Sequence, residues 1–207
     1  MKWRKNWKRV FVGIMVLVMF LGTVKYAHAE TSYKTKITVT YEQSSARKLL
    51  TKINKLRTGQ DAWCWDETNT KRVYYSNLKK CKYDYGLEKL AMKRAAESAI
   101  KFEHIRPNGT SCFTVFGKRQ GATGENMAKG YTTIATVFDG WAEADCYYDG
   151  QGHRRNMLNP EAKYVGIGHV KYEGVDYWVQ LFSNKRISTR KTRAINAEKE
   201  VTVTIVK

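Results

Sequence analysis

Acid–base or metal chemistry in this chain falls to a few side chains. The 207 residues hold four histidines (His28, His104, His153 and His169) and four cysteines (Cys64, Cys81, Cys112 and Cys146). His104 follows a helical pattern, at the end where the helix dipole favours a positive ring. His153 sits in Gly150-Gln151-Gly152-His153, where glycine permits a tight turn that presents the ring to a cleft. Glu125 stands behind a glycine in Gly124-Glu125-Asn126. Two imidazoles and a carboxylate can hold a divalent ion such as zinc and leave positions open to water. Without metal, the carboxylate can fix a histidine tautomer and raise its pKa, giving an acid–base pair. The same groups can also simply satisfy one another on a buried cleft floor. His104 and His153 are too far apart in sequence for a local zinc motif. No G-x-S-x-G frame marks a nucleophilic serine, and no C-x-x-C pair marks a zinc ribbon or thioredoxin-like redox site.

The amino terminus decides which of these groups matter. Residues 1–29 carry six Lys and Arg and no acid, then an apolar run from Val10 to Val24, then Ala27-His28-Ala29. That order is a secretory signal peptide with cleavage expected after Ala29, and the run is short for a spanning helix. Cleavage removes His28 and lowers the formal charge from +18 to +12. In an oxidising setting an even number of cysteines is expected to form disulfides, and four allow three pairings. Joining Cys64 to Cys81 would close a short loop, leaving Cys112 with Cys146.

The elements that must position the site follow from periodicity. Residues 35–41 alternate, with Ile37, Val39 and Tyr41 on one face, as in a half-buried strand. Ser44 or Ser45 can cap a helix striped by Leu49, Leu50, Ile53 and Leu56. Residues 58–85 mix Gly, Asp, Asn and aromatics and read as loop. A helix is expected over 87–103, with Leu87, Leu90, Ala91, Ala95, Ser98 and Phe102 on one side, ended by Arg106-Pro107-Asn108-Gly109. Another starts at Thr132 or Thr133, striped by Ile134, Val137, Phe138 and Trp141. Strands at about 164–171 and 176–183 flank Glu173-Gly174 as a hairpin. Trp178, Gln180 and Phe182 share one face of the second strand and Tyr177, Val179 and Leu181 the other, so both sides read as buried. His169 reads as a sheet-face residue, and a last strand carries Val201, Val203 and Ile205. Helices around a small antiparallel sheet make an α+β domain.

Four blocks in this order resemble a bacterial CAP (SCP) domain, the superfamily of cysteine-rich secretory proteins, antigen 5 and group 1 pathogenesis-related proteins. They are Leu90-Ala91 to Arg94-Ala95-Ala96-Glu97 with His104 and Arg106-Pro107; Gly124-Glu125-Asn126; Trp141 with Gly152-His153-Arg154 and Asn156-Met157-Leu158; and Val165-Gly166-Ile167-Gly168 with Tyr177-Trp178-Val179-Gln180-Leu181-Phe182. The resemblance implies an α-β-α sandwich over 44–183, preceded by a strand segment at 30–43 and followed by a basic tail with a strand at 184–207. It also implies a cleft lined by two histidines and two acids: His104, Glu125, His153 and a second acid that usually lies three residues after the tryptophan. Ala144 occupies that place here. Glu143 is the nearest substitute and Asp145 the next, and on a helix at most one of them faces the cleft.

These features imply a secreted, monomeric, non-enzymatic binding module that requires no cofactor. Its ligand class is open among a lipid, a sterol-like molecule, a wall polymer and a protein. The alternative is a zinc-dependent hydrolase using His104, His153 and Glu125. Arg154 and Arg155 could meet an anion at the cleft mouth or form surface ion pairs. Lys185, Arg186, Arg190, Lys191 and Arg193 form a run without acids, suited to anionic polymers at the cell surface. The run lacks the aromatic interleaving of a nucleic-acid site, so no nucleic-acid partner is expected.

Overall fold

A computed structural model describes residues 31–207; the expected export signal at 1–29 lies outside the described residues. The sheet is built around a hairpin of β6 (Tyr164–Tyr172) and β7 (Val175–Ser183), whose turn residues Glu173 and Gly174 both have positive φ, 49° and 77°. That pair of left-handed residues matches the twist of the flanking strands. β5 (Ala122–Lys129) pairs antiparallel with β7. On the other side β1 (Ser32–Tyr41) joins β6 through only two pairs, Thr40 with Lys171 and Tyr41 with Val170. β8 (Glu198–Val206) then pairs with β1 along its length, so the first and last segments of the described chain form one ribbon within the main sheet.

The alternation read in β7 is realised on both faces. Trp178 and Phe182 join Val165 and Ile167 of β6 against α1 (Gln43–Thr58), α3 (Ile134–Ala142) and α4 (Gly152–Leu158), which contribute Leu49, Ile53, Val137, Trp141, Met157 and Leu158. Tyr177, Val179 and Leu181 join Val170 against Leu87, Ala91 and Ala95 of α2 (Tyr85–Ile100). The result is the expected α-β-α sandwich. Each fully buried Leu, Ile or Val contributes about 1.5–3 kcal/mol of transfer free energy, so both faces of the hairpin anchor the fold. β6 presents Gly166 and Gly168 to α2. A Cβ at Gly166 would lie 2.2 Å from the Glu88 nitrogen, and one at Gly168 2.4 Å from Ala91 backbone atoms. The helix rests on the strand backbone itself. Asp84 starts α2 by accepting from the Gly86 and Leu87 nitrogens at 2.8 and 2.9 Å. It also accepts from the Ile187 nitrogen at 2.7 Å, which ties the basic tail to the helix start.

Three expectations are corrected. The 58–85 stretch is not all loop: β2 (Trp63–Trp65) and β3 (Arg72–Tyr74) form a small hairpin, and β4 (Lys82–Tyr83) runs parallel to β6. α2 ends at Ile100, so Phe102 lies beyond it and is exposed rather than on its buried stripe. The four cysteines are unpaired, so the expected disulfides are absent. Each has surroundings of its own. Cys81 Sγ meets the Ala162 carbonyl at 3.2 Å, Cys64 is buried in β2 with the Tyr75 hydroxyl nearby, Cys112 lies beside His104, and Cys146 is exposed.

Candidate functional site

His104, Glu125, Glu143 and His153 line one open cavity of about 450 Å³, together with Asp149, Arg155, Asn156 and two glycines. Among the described residues that line it, none carries a hydroxyl or thiol. A larger groove of about 580 Å³ lies between α2 and β8, but aliphatic side chains and lysines dominate it and no histidine reaches it. The chemistry is in the smaller cavity.

One half of the site is fixed from inside the sandwich. Glu125 sits on β5 with its carboxylate buried, and His104 Nδ1 meets Oε1 at 2.8 Å. Behind Glu125, the fully buried Arg94 donates from Nε to Oε2 at 2.8 Å and from Nη2 to Oε1 at 3.2 Å. Arg94 also reaches Glu97 at 3.2 Å and the Glu103 carbonyl at 3.0 Å. Glu97 in turn holds Arg106 through two bonds of 2.9 and 2.6 Å. This chain of alternating charges links α2, the 101–112 loop and β5. Buried charges persist only when paired and hydrogen-bonded, and here each is.

The electrostatics follow from the contacts. The Cys112 thiol beside the ring, with Glu125 behind it, raises His104 to about 9, so the ring is protonated at neutral pH. α2 ends at Ile100, four residues before His104, and the helix terminus expected to favour the positive ring is not the principal cause. Burial pushes Glu125 up, but the bonds from His104 and Arg94 outweigh it and hold the carboxyl below its ordinary value.

The other half is fixed by a backbone reversal. α3 ends at Ala142, and Glu143 follows in the left-handed region with φ 47° and ψ 39°. Its carboxylate turns back onto the start of α4, accepting from the His153 nitrogen at 2.9 Å and the Arg154 nitrogen at 3.1 Å, and it also bonds His153 Nδ1. Glu143 is therefore the second cleft acid, whereas Asp145 is exposed and outside the lining. Asn126 joins the halves, donating to the His153 carbonyl and to Gln180, both at 3.0 Å. Asn156 donates to Asn126 at 2.8 Å and to the Glu125 carbonyl at 3.2 Å.

A family model described as the cysteine-rich secretory protein family, CAP, matches residues 50–182. The chain belongs to that family. It is 33% identical over 123 residues to the uncharacterized protein YkwD of Bacillus subtilis, an alignment covering 57% of this chain and only 44% of that relative. Among solved structures, venom allergen-like protein 4 of Schistosoma mansoni matches with a TM-score of 0.50 at 17% identity, covering 73% of this chain and 97% of that one. NaASP2, solved with Zn2+, matches with a TM-score of 0.50 at 19% identity, covering 71% and 84%. At such identity these structures speak to the fold.

Within this CAP domain four side chains have roles that residue type alone did not convey. Arg154 lies neither in the cavity lining nor in a surface ion pair. It is buried and donates to the Trp63, Ala142 and Asp61 carbonyls at 2.6, 2.6 and 2.5 Å, pinning the β2 hairpin to α3. Arg155 does line the cavity, stacked on Tyr148. Arg94 carries the site and was missed, although its spacing held a signal: it follows Leu87 by seven residues and Ala91 by three, on the apolar face of α2. His169, expected on a sheet face, is there but sealed. It stacks on Trp178 at 3.4 Å and bonds Ser45 and Asp176 at 2.9 and 2.8 Å.

Proposed function

We propose that this CAP-domain protein is an extracellular binding module whose cleft grips a polar ligand through His104 and His153 without turning it over. The observation that carries this reading is that both rings line one cavity with Nδ1 tied to a carboxylate that is itself occupied, Glu125 by Arg94 and Glu143 by two backbone nitrogens. Two ring edges are thereby fixed in place, which lowers the ordering cost of binding. The exposed Lys185, Arg186, Arg190, Lys191 and Arg193 add attraction to anionic polymers of the cell envelope, and partition onto envelopes that ignored salt would overturn that role. Capture from native culture fluid, followed by mass spectrometry, tests the cleft. A ligand enriched by the wild type and lost in His104→Ala/His153→Ala supports it, and equal recovery by both overturns it.

The same geometry favours a second reading. A carboxylate behind each imidazole orients histidine for a metal, and NaASP2 was solved with zinc. His104 and His153 would hold the ion with water completing the shell, and the ion would activate that water for hydrolysis. The absence of zinc-stimulated turnover on peptide, glycan and ester panels would refute it.

A further inference from the structure

We propose that Cys112, with His104 and Glu125, forms a metal site in the cleft wall that takes a thiophilic divalent cation such as zinc. This goes beyond the binding reading and differs from a two-histidine site in its sulfur donor. Each of the three residues offers one ligand atom, and the three atoms all lie within 4.8 Å of one another. Zinc holds thiolate sulfur at about 2.3 Å and imidazole nitrogen or carboxylate oxygen at about 2.0–2.2 Å, so tetrahedral donors stand roughly 3.3–3.7 Å apart. A bound ion would draw the donors in from that outer limit. His104 and His153 do not form, with either Glu125 or Glu143, a comparably close set among the described residues.

The placement of the donors is built into the backbone. The Cys112 nitrogen donates to the His104 carbonyl at 2.8 Å, and Ile105 bridges Ser111. Between them the chain reverses at Gly109, whose φ of 77° suits glycine, and the Arg106 nitrogen closes the turn on the Thr110 carbonyl at 2.8 Å. Arg106 is clamped to Glu97, so the loop cannot carry Cys112 away from the ring without breaking a buried ion pair. Glu125 approaches from β5, held by Arg94. Two separately rigid elements converge on one point.

Charge explains why sulfur is the deciding donor. Both Glu125 oxygens already accept from Arg94, so the carboxylate alone does not balance a dication. Cys112 supplies the missing negative charge when its thiol proton leaves to solvent as the metal–sulfur bond forms, and the protonated His104 ring gives up a second proton to solvent as its nitrogen takes the ion. Access is one-sided: Cys112 and Glu125 are buried, whereas the His104 side chain is 59% exposed and borders the cavity. In the other close donor set, Glu42, His169 and Asp176, Glu42 is 41% exposed, but both His169 ring nitrogens are already bonded, to Ser45 and Asp176.

Cobalt(II) titration of the metal-free, reduced, full chain tests the site. The expected result is one cobalt per chain with a thiolate-to-cobalt charge-transfer band that Cys112→Ser abolishes, with affinity at least tenfold weaker. His153→Ala and Cys146→Ser keep the band. Should Cys112→Ser unfold, a chain retaining Cys112 as its only cysteine carries the test, and a retained band supports the site. A band that survives in folded Cys112→Ser, a wild type without a band, or cobalt binding lost only in His153→Ala each overturns the proposal. The last outcome would leave the two-histidine reading standing.

Discussion

Arg94→Met probes the part of the site that is least visible from the cleft. Arg94 is fully buried between Glu97 and Glu125. Removing it leaves the two acids unequally served. Glu97 keeps both bonds from Arg106, whereas Glu125 keeps only His104. Deleting one partner of a buried ion pair costs about 3–5 kcal/mol, because the other charge remains desolvated. The lower end, about 3 kcal/mol, is expected here, since His104 stays protonated at neutral pH and still faces Glu125. For a chain of this size that lowers Tm by roughly 6–12 °C. Adding Glu125→Gln removes the orphaned charge and should recover about 1 kcal/mol or more, the coupling expected of groups in contact. Urea unfolding of wild type, both single variants and the double variant gives the cycle. NMR titration of the His104 ring adds a second readout: Glu125→Gln should bring its pKa down from about 9, and Arg94→Met should not. The sign follows from linkage. A histidine raised above its unfolded value of 6.5 contributes fully below that pH and loses its contribution as pH rises through about 9. Additivity within about 0.5 kcal/mol, or a His104 pKa unmoved by Glu125→Gln, would refute the reasoning.

Two further outcomes test the frame around the site. His169 is faced by Glu42, Asp176, Lys171 and Ser45 and stacked on Trp178, and burial holds its pKa below 6.5 despite the two acids. Below pH 6.5 the unfolded chain takes up a proton that the folded chain refuses, so stability falls as pH drops, and Tm against pH should show this limb in wild type and lose it in His169→Phe. Gly168→Ala places a methyl 2.4 Å from α2 backbone atoms and should destabilise by about 1–3 kcal/mol, read from the urea midpoint; an unchanged midpoint would show that α2 does not rest on β6.

Much of the fold was legible because period and position agree. β7 alternates Trp178 and Phe182 with Tyr177, Val179 and Leu181, and each set fills a different core, so the strand alone announces two covering layers. α1 and α3 show their stripes in the same way. The small β2–β3 hairpin was hidden because three-residue strands are too short to establish a period. The missing disulfides have another cause: cysteine number and compartment say nothing about which thiols the fold brings together.

The second acid marks where one-dimensional reading stops. On a continued helix, residues 143 and 145 would point in different directions, and spacing alone could not choose between them. The chain instead leaves the helix at Ala142 and places Glu143 in a conformation that non-glycine residues seldom adopt. Three bonds to the start of α4 offset the strain, and all three come from groups ten or eleven residues later. The acid and the turn that aims it are therefore one feature, specified by the α4 backbone as much as by Glu143 itself. Arg94 shows the same dependence. Its place on an apolar helix face looks like an error until Glu125 arrives from β5, and the pairing turns an unfavourable burial into the support of the cleft histidine. In both halves of the site the chemistry-bearing side chain was readable from sequence, and the groups that hold it became readable only once distant segments met.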